Sequence, residues 1–291
     1  MGADAQEVKG RGGFGARLTM YTMCGTYVLA LKTVRAAIPS MVPILAAELG
    51  FSMAQQGLLL SSFFQGYFVT MIPAAAAAQR LGGKAILTLC LGGTVGVFAA
   101  LPTAARLGAL GCQLLFVLLG LVQGGFTPGL GVLNSSWIPP EGHEKVWAIR
   151  AQTLCGDALC QMLAAVATPW LCRGGRWARA CYAYAIATAC VTVLWQLLAS
   201  DVPAGTTSPT PAKAEPEQKK GIDWRIFRLP QVHGLILVWV SSVIGQVSLQ
   251  SLSPTIFMDR FGLTPLEAGR YIALGFSVNI PGALPVPLSG L

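Results

Sequence analysis

The apolar residues of this chain fall in long blocks, and the charged residues gather at the joints between them. Residues 55–84 show the pattern most clearly: QQGLLLSSFFQGYFVTMIPAAAAAQRLGGK opens amphipathically, runs on without charge, and ends in a short basic turn. The uncharged run matches the ~20 residues that a helix needs to cross the ~30 Å hydrocarbon core of a bilayer. Its end, Gln79-Arg80-Leu81-Gly82-Gly83-Lys84, sets two cations and a glycine pair where the next apolar block begins. That is the pattern of a tight loop between two membrane helices. Read this way, the chain predicts eight spans, at 18–43, 56–78, 85–105, 110–133, 146–170, 178–199, 232–257 and 265–287.

The polar stretches divide the chain. Residues 1–17 are glycine-rich, carry Lys9, Arg11 and Arg17, and lack the apolar core of a secretory signal, so they predict a disordered cytoplasmic tail. Residues 18–199 hold six spans, a complete helical bundle. Residues 200–230 contain Pro203, Pro209, Pro211 and Pro216 among charged residues, and such a segment reads as a linker outside the bilayer. Residues 231–291 hold two more spans, the start of a second bundle. With the N-terminus inside, the inner loops carry twelve Lys and Arg against six in the outer loops. This bias predicts a cytoplasmic N-terminus.

Composition agrees: 54% of the residues are hydrophobic and 11% charged, where soluble proteins carry about 25% charged residues. The fold class is therefore all-α and multi-pass, with the lipid bilayer as solvent. The net charge of +8 is spread over loops without a basic run interleaved with aromatics, which argues against a nucleic-acid partner. Cys90, Cys112, Cys155, Cys160 and Cys190 lie inside apolar runs and read as small buried hydrophobes; Cys172 and Cys181 flank one loop and are a candidate pair. His143 and His233 have no metal-ligand spacing, and no nucleophile–base constellation is visible, so neither a metal, a cofactor nor an enzyme activity is expected. The glycines around Gly92-Gly93-Gly96 and Gly120 to Gly131 lack the lysine and hydroxyl of a phosphate loop and read as close helix contacts.

Six spans, a long inner loop and further spans are the layout of half of a two-half transporter and the beginning of its second half. Particular residues sharpen this. Ser61-Ser62-Phe63-Phe64-Gln65-Gly66-Tyr67, Ile72-Pro73 and Arg80 with Gly82-Gly83-Lys84 form one set. Ala47-Glu48-Leu49-Gly50, Gly120 to Pro128, Ser136-Trp137-Ile138-Pro139, Pro254 and Phe261-Gly262 support it. Together they resemble the anion:cation symporter family of the major facilitator superfamily, which includes plant plastid phosphate and anion transporters and vesicular glutamate and sialic acid transporters. The resemblance runs from Val34 onward and implies a major facilitator fold, truncated after about two helices of its second bundle. It also implies alternating-access transport of a small anion, with Gln79, Arg80, Gly82, Gly83 and Lys84 in the gating loop.

The departures bear on mechanism. Where the family has an acid, this chain has Gln79 in the loop, Val34 before Arg35, and Gln123 in span four; Phe116 replaces an arginine, and Gln65 a tryptophan. By the resemblance Arg35 falls on the substrate-anion arginine, and its planar fork suits carboxylate or phosphate. The competing reading is a structural arginine that snorkels or meets a backbone carbonyl. Lys32 shares its helical face at i−3, either as a second anion contact or as a cation in a wet vestibule. With no intramembrane carboxylate expected nearby, the two cations predict an electropositive cavity. Gln65, Tyr67 and Gln123 are the polar candidates around it, and Pro128 a candidate kink in span four. An amide at Gln123 cannot titrate, so transport uncoupled from protons is expected; Asp157 in span five is the substitute carboxylate, or else a helix–helix hydrogen bond. The coupling ion, the membrane and the anion stay open. The rival expectation is a transport-inactive, truncated relative that binds partners in the membrane, or a fragment of a longer transporter.

Overall fold

In a computed structural model, residues 13–139, 142–202, 228–278 and 280 are described, and all regular structure among them is helical. Helix α1 (Phe14–Leu49) begins before residue 18, continues through Pro39 and Pro43, and ends at Gly50 in the left-handed region, φ 72°. The predicted tail and the first span therefore meet earlier than the charge pattern suggested. Helix α2 (Met53–Leu81) starts at a capping box, Ser52 with Gln55, which satisfies two otherwise orphan amides. Helix α3 (Gly83–Ala104) follows after a one-residue turn at Gly82, φ 88°.

Span four is two helices, α4 (Ala109–Gln123) and α5 (Phe126–Trp137), broken at Gly124-Gly125. Pro128 has no N–H to offer the Gly124 carbonyl, so the ladder fails there. Span five is α6 (His143–Thr153), a π-helical turn Leu154–Leu159, and α7 (Cys160–Leu171). Helix α8 (Trp177–Leu198) completes the first bundle, and α9 (Pro230–Phe261) and α10 (Pro265–Ser277) follow. Seven of the described helical stretches are long and apolar enough to cross a membrane. The eighth predicted span is seen only as the 13 residues of α10; its remainder lies outside the described residues, as do residues 1–12 of the tail and 203–227 of the linker.

The bundle buries two apolar clusters stacked along α1. One gathers Val34, Ala37, Met41 and Leu45 with Phe63, Phe98, Phe116 and Tyr184; the other gathers Met20, Tyr27 and Leu31 with Leu87, Leu91, Trp137 and Trp195. Residues 32–35 of α1 stand at the seam between them.

Close backbone contacts set the helix spacing, as the glycine pattern predicted, but not at every glycine. An added Cβ on Gly66 would stand 2.0 Å from the Val117 carbonyl oxygen, and one on Gly120 2.0 Å from that of Phe63. Gly92, Gly96 and Gly131 face open space. Cys172 and Cys181 are separate buried thiols and not a disulfide; the Cys181 Sγ lies 3.7 Å from Met41 Sδ.

Candidate functional site

One side of α1 stays open while its other sides are buried: Thr22, Thr26, Leu29, Lys32, Arg35 and Pro39 recur at helical spacing and remain partly or fully exposed. At the C-terminal end of this stripe α7, α9 and α10 close over it. Ser40, Pro169, Pro254, Met258, Pro265 and Gly269 line a small hollow there, and a Cβ on Gly269 would lie 2.0 Å from the Ala165 carbonyl oxygen. The open stripe therefore runs from the N-terminal end of α1 to Lys32 and Arg35.

Arg35 turns toward α2. Its Cζ lies 4.6 Å from the centre of the Phe63 ring, 5.2 Å from Phe64 and 5.3 Å from Tyr67. The run Phe63-Phe64-Gln65-Gly66-Tyr67 supplies this platform because positions i, i+1 and i+4 share one side of a helix. The Phe63 and Tyr67 rings stack at 5.8 Å, and the Tyr67 hydroxyl meets Thr127 Oγ1 of α5 at 3.0 Å. Each cation–π contact contributes about 0.5–2 kcal/mol. Three rings thus lie within 5.3 Å of the guanidinium carbon, and the ion pairs among the described residues, Arg17–Glu144 and Lys32–Asp157, do not involve Arg35.

Lys32 turns the other way, toward span five. Its Nζ is 3.1 Å from Asp157 Oδ1, with both side chains partly exposed. This corrects the expectation that no intramembrane carboxylate lies near the two cations. The partner comes from a π-helical turn 125 residues away, a register that no local pattern reveals. π-turns inside α-helices are often functional. Gly156 makes the pair possible, since a Cβ there would stand 3.2 Å from the Lys32 ammonium and 2.9 Å from Val28 Cγ1.

The other expected residues are placed elsewhere. Gln123 is 2% exposed and donates from Nε2 to Thr94 Oγ1 at 3.2 Å, while Thr94 donates to the Cys90 carbonyl at 2.7 Å. Its amide thus joins spans three and four and is not brought to Arg35. Gln65 is exposed beside Phe68, Val69 and Ile72, on the side of α2 away from the buried Gly66. Gln79 and Arg80, expected in the gating loop, lie in the last turn of α2 and are exposed. Gly83 is packed so closely that a Cβ would lie 2.6 Å from the Gly129 carbonyl oxygen. The Lys84 backbone N–H donates to Asp201 Oδ1 at 2.7 Å, and its Nζ to the Gln196 carbonyl at 3.2 Å.

Several of these partners escape sequence reasoning. Asp201, just past α8, supplies a negative charge to the N-terminus of α3. Around the same end of the bundle, Tyr21 donates to Glu144 at 2.8 Å, Trp137 donates to the Ser200 carbonyl at 2.8 Å, and Asn134 and Gln152 exchange two amide hydrogen bonds. Phe63 and Phe64 carried a signal, the spacing of the Phe-Phe-x-x-Tyr run. Asp157 carried a signal as a carboxylate inside span five, but its partner did not; Thr127 and Asp201 carried none, because each meets a partner distant in the chain.

The family model described as Major Facilitator Superfamily matches residues 23–290. Sialin of Ovis aries is 31% identical over 55% of this chain and 32% of its own length. The probable anion transporter 4, chloroplastic, of Oryza sativa subsp. japonica is 25% identical over 95% of this chain and 49% of its own. The chain thus spans a third to a half of the length of these curated relatives. Among solved structures, a bacterial homolog to the human lysosomal transporter Spinster, inward-facing and unoccupied, superposes with a TM-score of 0.72 at 21% identity, covering 93% of this chain and 62% of that one.

Proposed function

Since the chain belongs to the major facilitator superfamily and is a multi-pass membrane protein, we propose that it carries a small organic or inorganic anion across its membrane by alternating access. Arg35 holds the anion. The observation that carries this reading is a guanidinium in mid-span, platformed on three rings and outside the ion pairs among the described residues. A cation at such depth costs about 2.5–3.5 kcal/mol on insertion scales, and a bound carboxylate or phosphate offsets it through paired charge-assisted hydrogen bonds. The likeness to sialin and to the plastid anion transporter supports an anionic cargo.

In this reading the N-terminus is cytoplasmic, so the open stripe of α1 faces inward, and the closure of α7, α9 and α10 over Ser40 is the outer seal. Transport is uncoupled from protons: Val34 and Gln123 stand where the resemblance expects acids, and Gln123 is committed to Thr94. The reading of a transport-inactive membrane protein draws on the same replaced acids.

Anion uptake into vesicles reconstituted with the full chain separates the two. Arg35→Ala abolishes uptake. Arg35→Lys keeps the charge but loses the fork, and retains a fraction of it. An imposed pH gradient changes uptake little. Uptake unaltered in Arg35→Ala removes Arg35 from the site, and no uptake by the wild type favours the inactive reading.

A further inference from the structure

Lys32 and Arg35 are neighbours on the open side of α1, yet their charges are handled in opposite ways. Arg35 lies against aromatic rings, whereas Lys32 is paired at 3.1 Å with Asp157. The pair lies on the open side of α1 and not in the core: its side chains keep 31% and 47% of their exposure. It is also built. The π-turn Leu154–Leu159 carries Asp157, and Gly156 clears the space that the Lys32 ammonium occupies. Of the remaining charged side chains of the described residues, those of α1 to α3, α8 and α9 lie toward the ends of their helices, and Arg270 of α10 is exposed.

Among the described residues, two cations and one carboxylate at mid-span leave a single positive charge for a cargo to match. Charge left unmatched in a low-dielectric site is strongly unfavourable, so the sum at the site selects the valence of the anion. We propose that Asp157 is a specificity-determining residue that acts as a fixed counter-charge to Lys32, so that the Arg35 site takes a monoanion and discriminates against dianions. This deepens the reading of Arg35 as the anion-holding group and rests on it. It also gives Asp157 a task other than titration: held by Lys32, the carboxylate is a stand-in for the second negative charge that a dianion would bring.

The test uses the full chain in detergent and two matched ligand pairs, monomethyl glutarate against glutarate and methyl sulfate against sulfate. Ligand-induced stabilisation against heat, titrated with each anion, yields an apparent affinity without any transport step. The wild type favours the monoanion of each pair. Asp157→Asn uncovers the second cation and shifts the affinity ratio toward the dianion by about tenfold or more. Asp157→Glu keeps the wild-type ratio, and the double variant Lys32→Gln with Asp157→Asn, which restores the net charge, returns the ratio toward the monoanion. Should Asp157→Asn not fold, Lys32→Gln gives the test of opposite sign, with discrimination against the dianion sharpened.

A ratio that stays unchanged in Asp157→Asn or in Lys32→Gln while ligands still stabilise the variant overturns the proposal. So does a wild type that prefers dianions. Failure of the underlying reading looks different: neither anion stabilises the wild type, or Arg35→Ala binds both as before, and the inference then falls with it.

Discussion

Replacing Gly120 by alanine places a methyl group 2.0 Å from the Phe63 carbonyl oxygen and 2.7 Å from the Tyr67 amide nitrogen. Both atoms are backbone, so no side chain can swing away, and α2 and α4 must separate by more than an ångström to reach ordinary contact. Overpacking of this kind costs about 1–3 kcal/mol. The displaced segment is also the one that carries Phe63, Phe64 and Tyr67, the platform beneath Arg35. A misplacement of about 1 Å in a site can lower its rate about 100-fold, so uptake falls by more than the stability loss alone accounts for. Gly92→Ala is the matched control, because its Cβ meets nothing within 4 Å, and alanine favours a helix by about 1 kcal/mol. Thermal unfolding and vesicle uptake of the two variants, measured side by side, decide the matter. A Gly120→Ala protein with the melting temperature and uptake of the wild type would refute the claim that this crossing sets the spacing of the site.

Two further substitutions probe the frame. Asp201→Ala removes the carboxylate that accepts the Lys84 N–H at 2.7 Å, and is expected to destabilise the fold by about 1 kcal/mol, as loss of a helix cap does; an unshifted melting curve argues against the cap. Thr94→Val leaves the buried Gln123 amide without its acceptor and is expected to destabilise by about 1–3 kcal/mol. Adding Gln123→Leu to it recovers much of that loss, and a thermal-melt cycle in which the two changes are simply additive contradicts the bond.

What the sequence determined by itself is everything that a single helix decides about its own surroundings. Long uncharged blocks, their basic joints and the proline-rich linker mark out the spans without reference to any other segment, because each must bury or expose its own backbone and side chains in lipid or water. Arg35 was legible for the same reason, as a cation inside an apolar block. Its rings were legible from the spacing of one helix, Phe63 to Tyr67. What the tertiary structure alone decided is which segments meet. Lys32 finds Asp157 across 125 residues and Lys84 finds Asp201 across 117, while Gly66 and Gly120 bring α2 and α4 together at backbone distance. These pairings depend on helix rotation and on a π-turn of a few residues, to which hydrophobic periodicity is blind. They revise the expectation that Lys32 has no carboxylate near it, and they place Gln123, polar and central in its span, in a helix–helix hydrogen bond. Charge and hydropathy are properties of a residue in its own helix, but the partner of a charge is a property of the packed bundle.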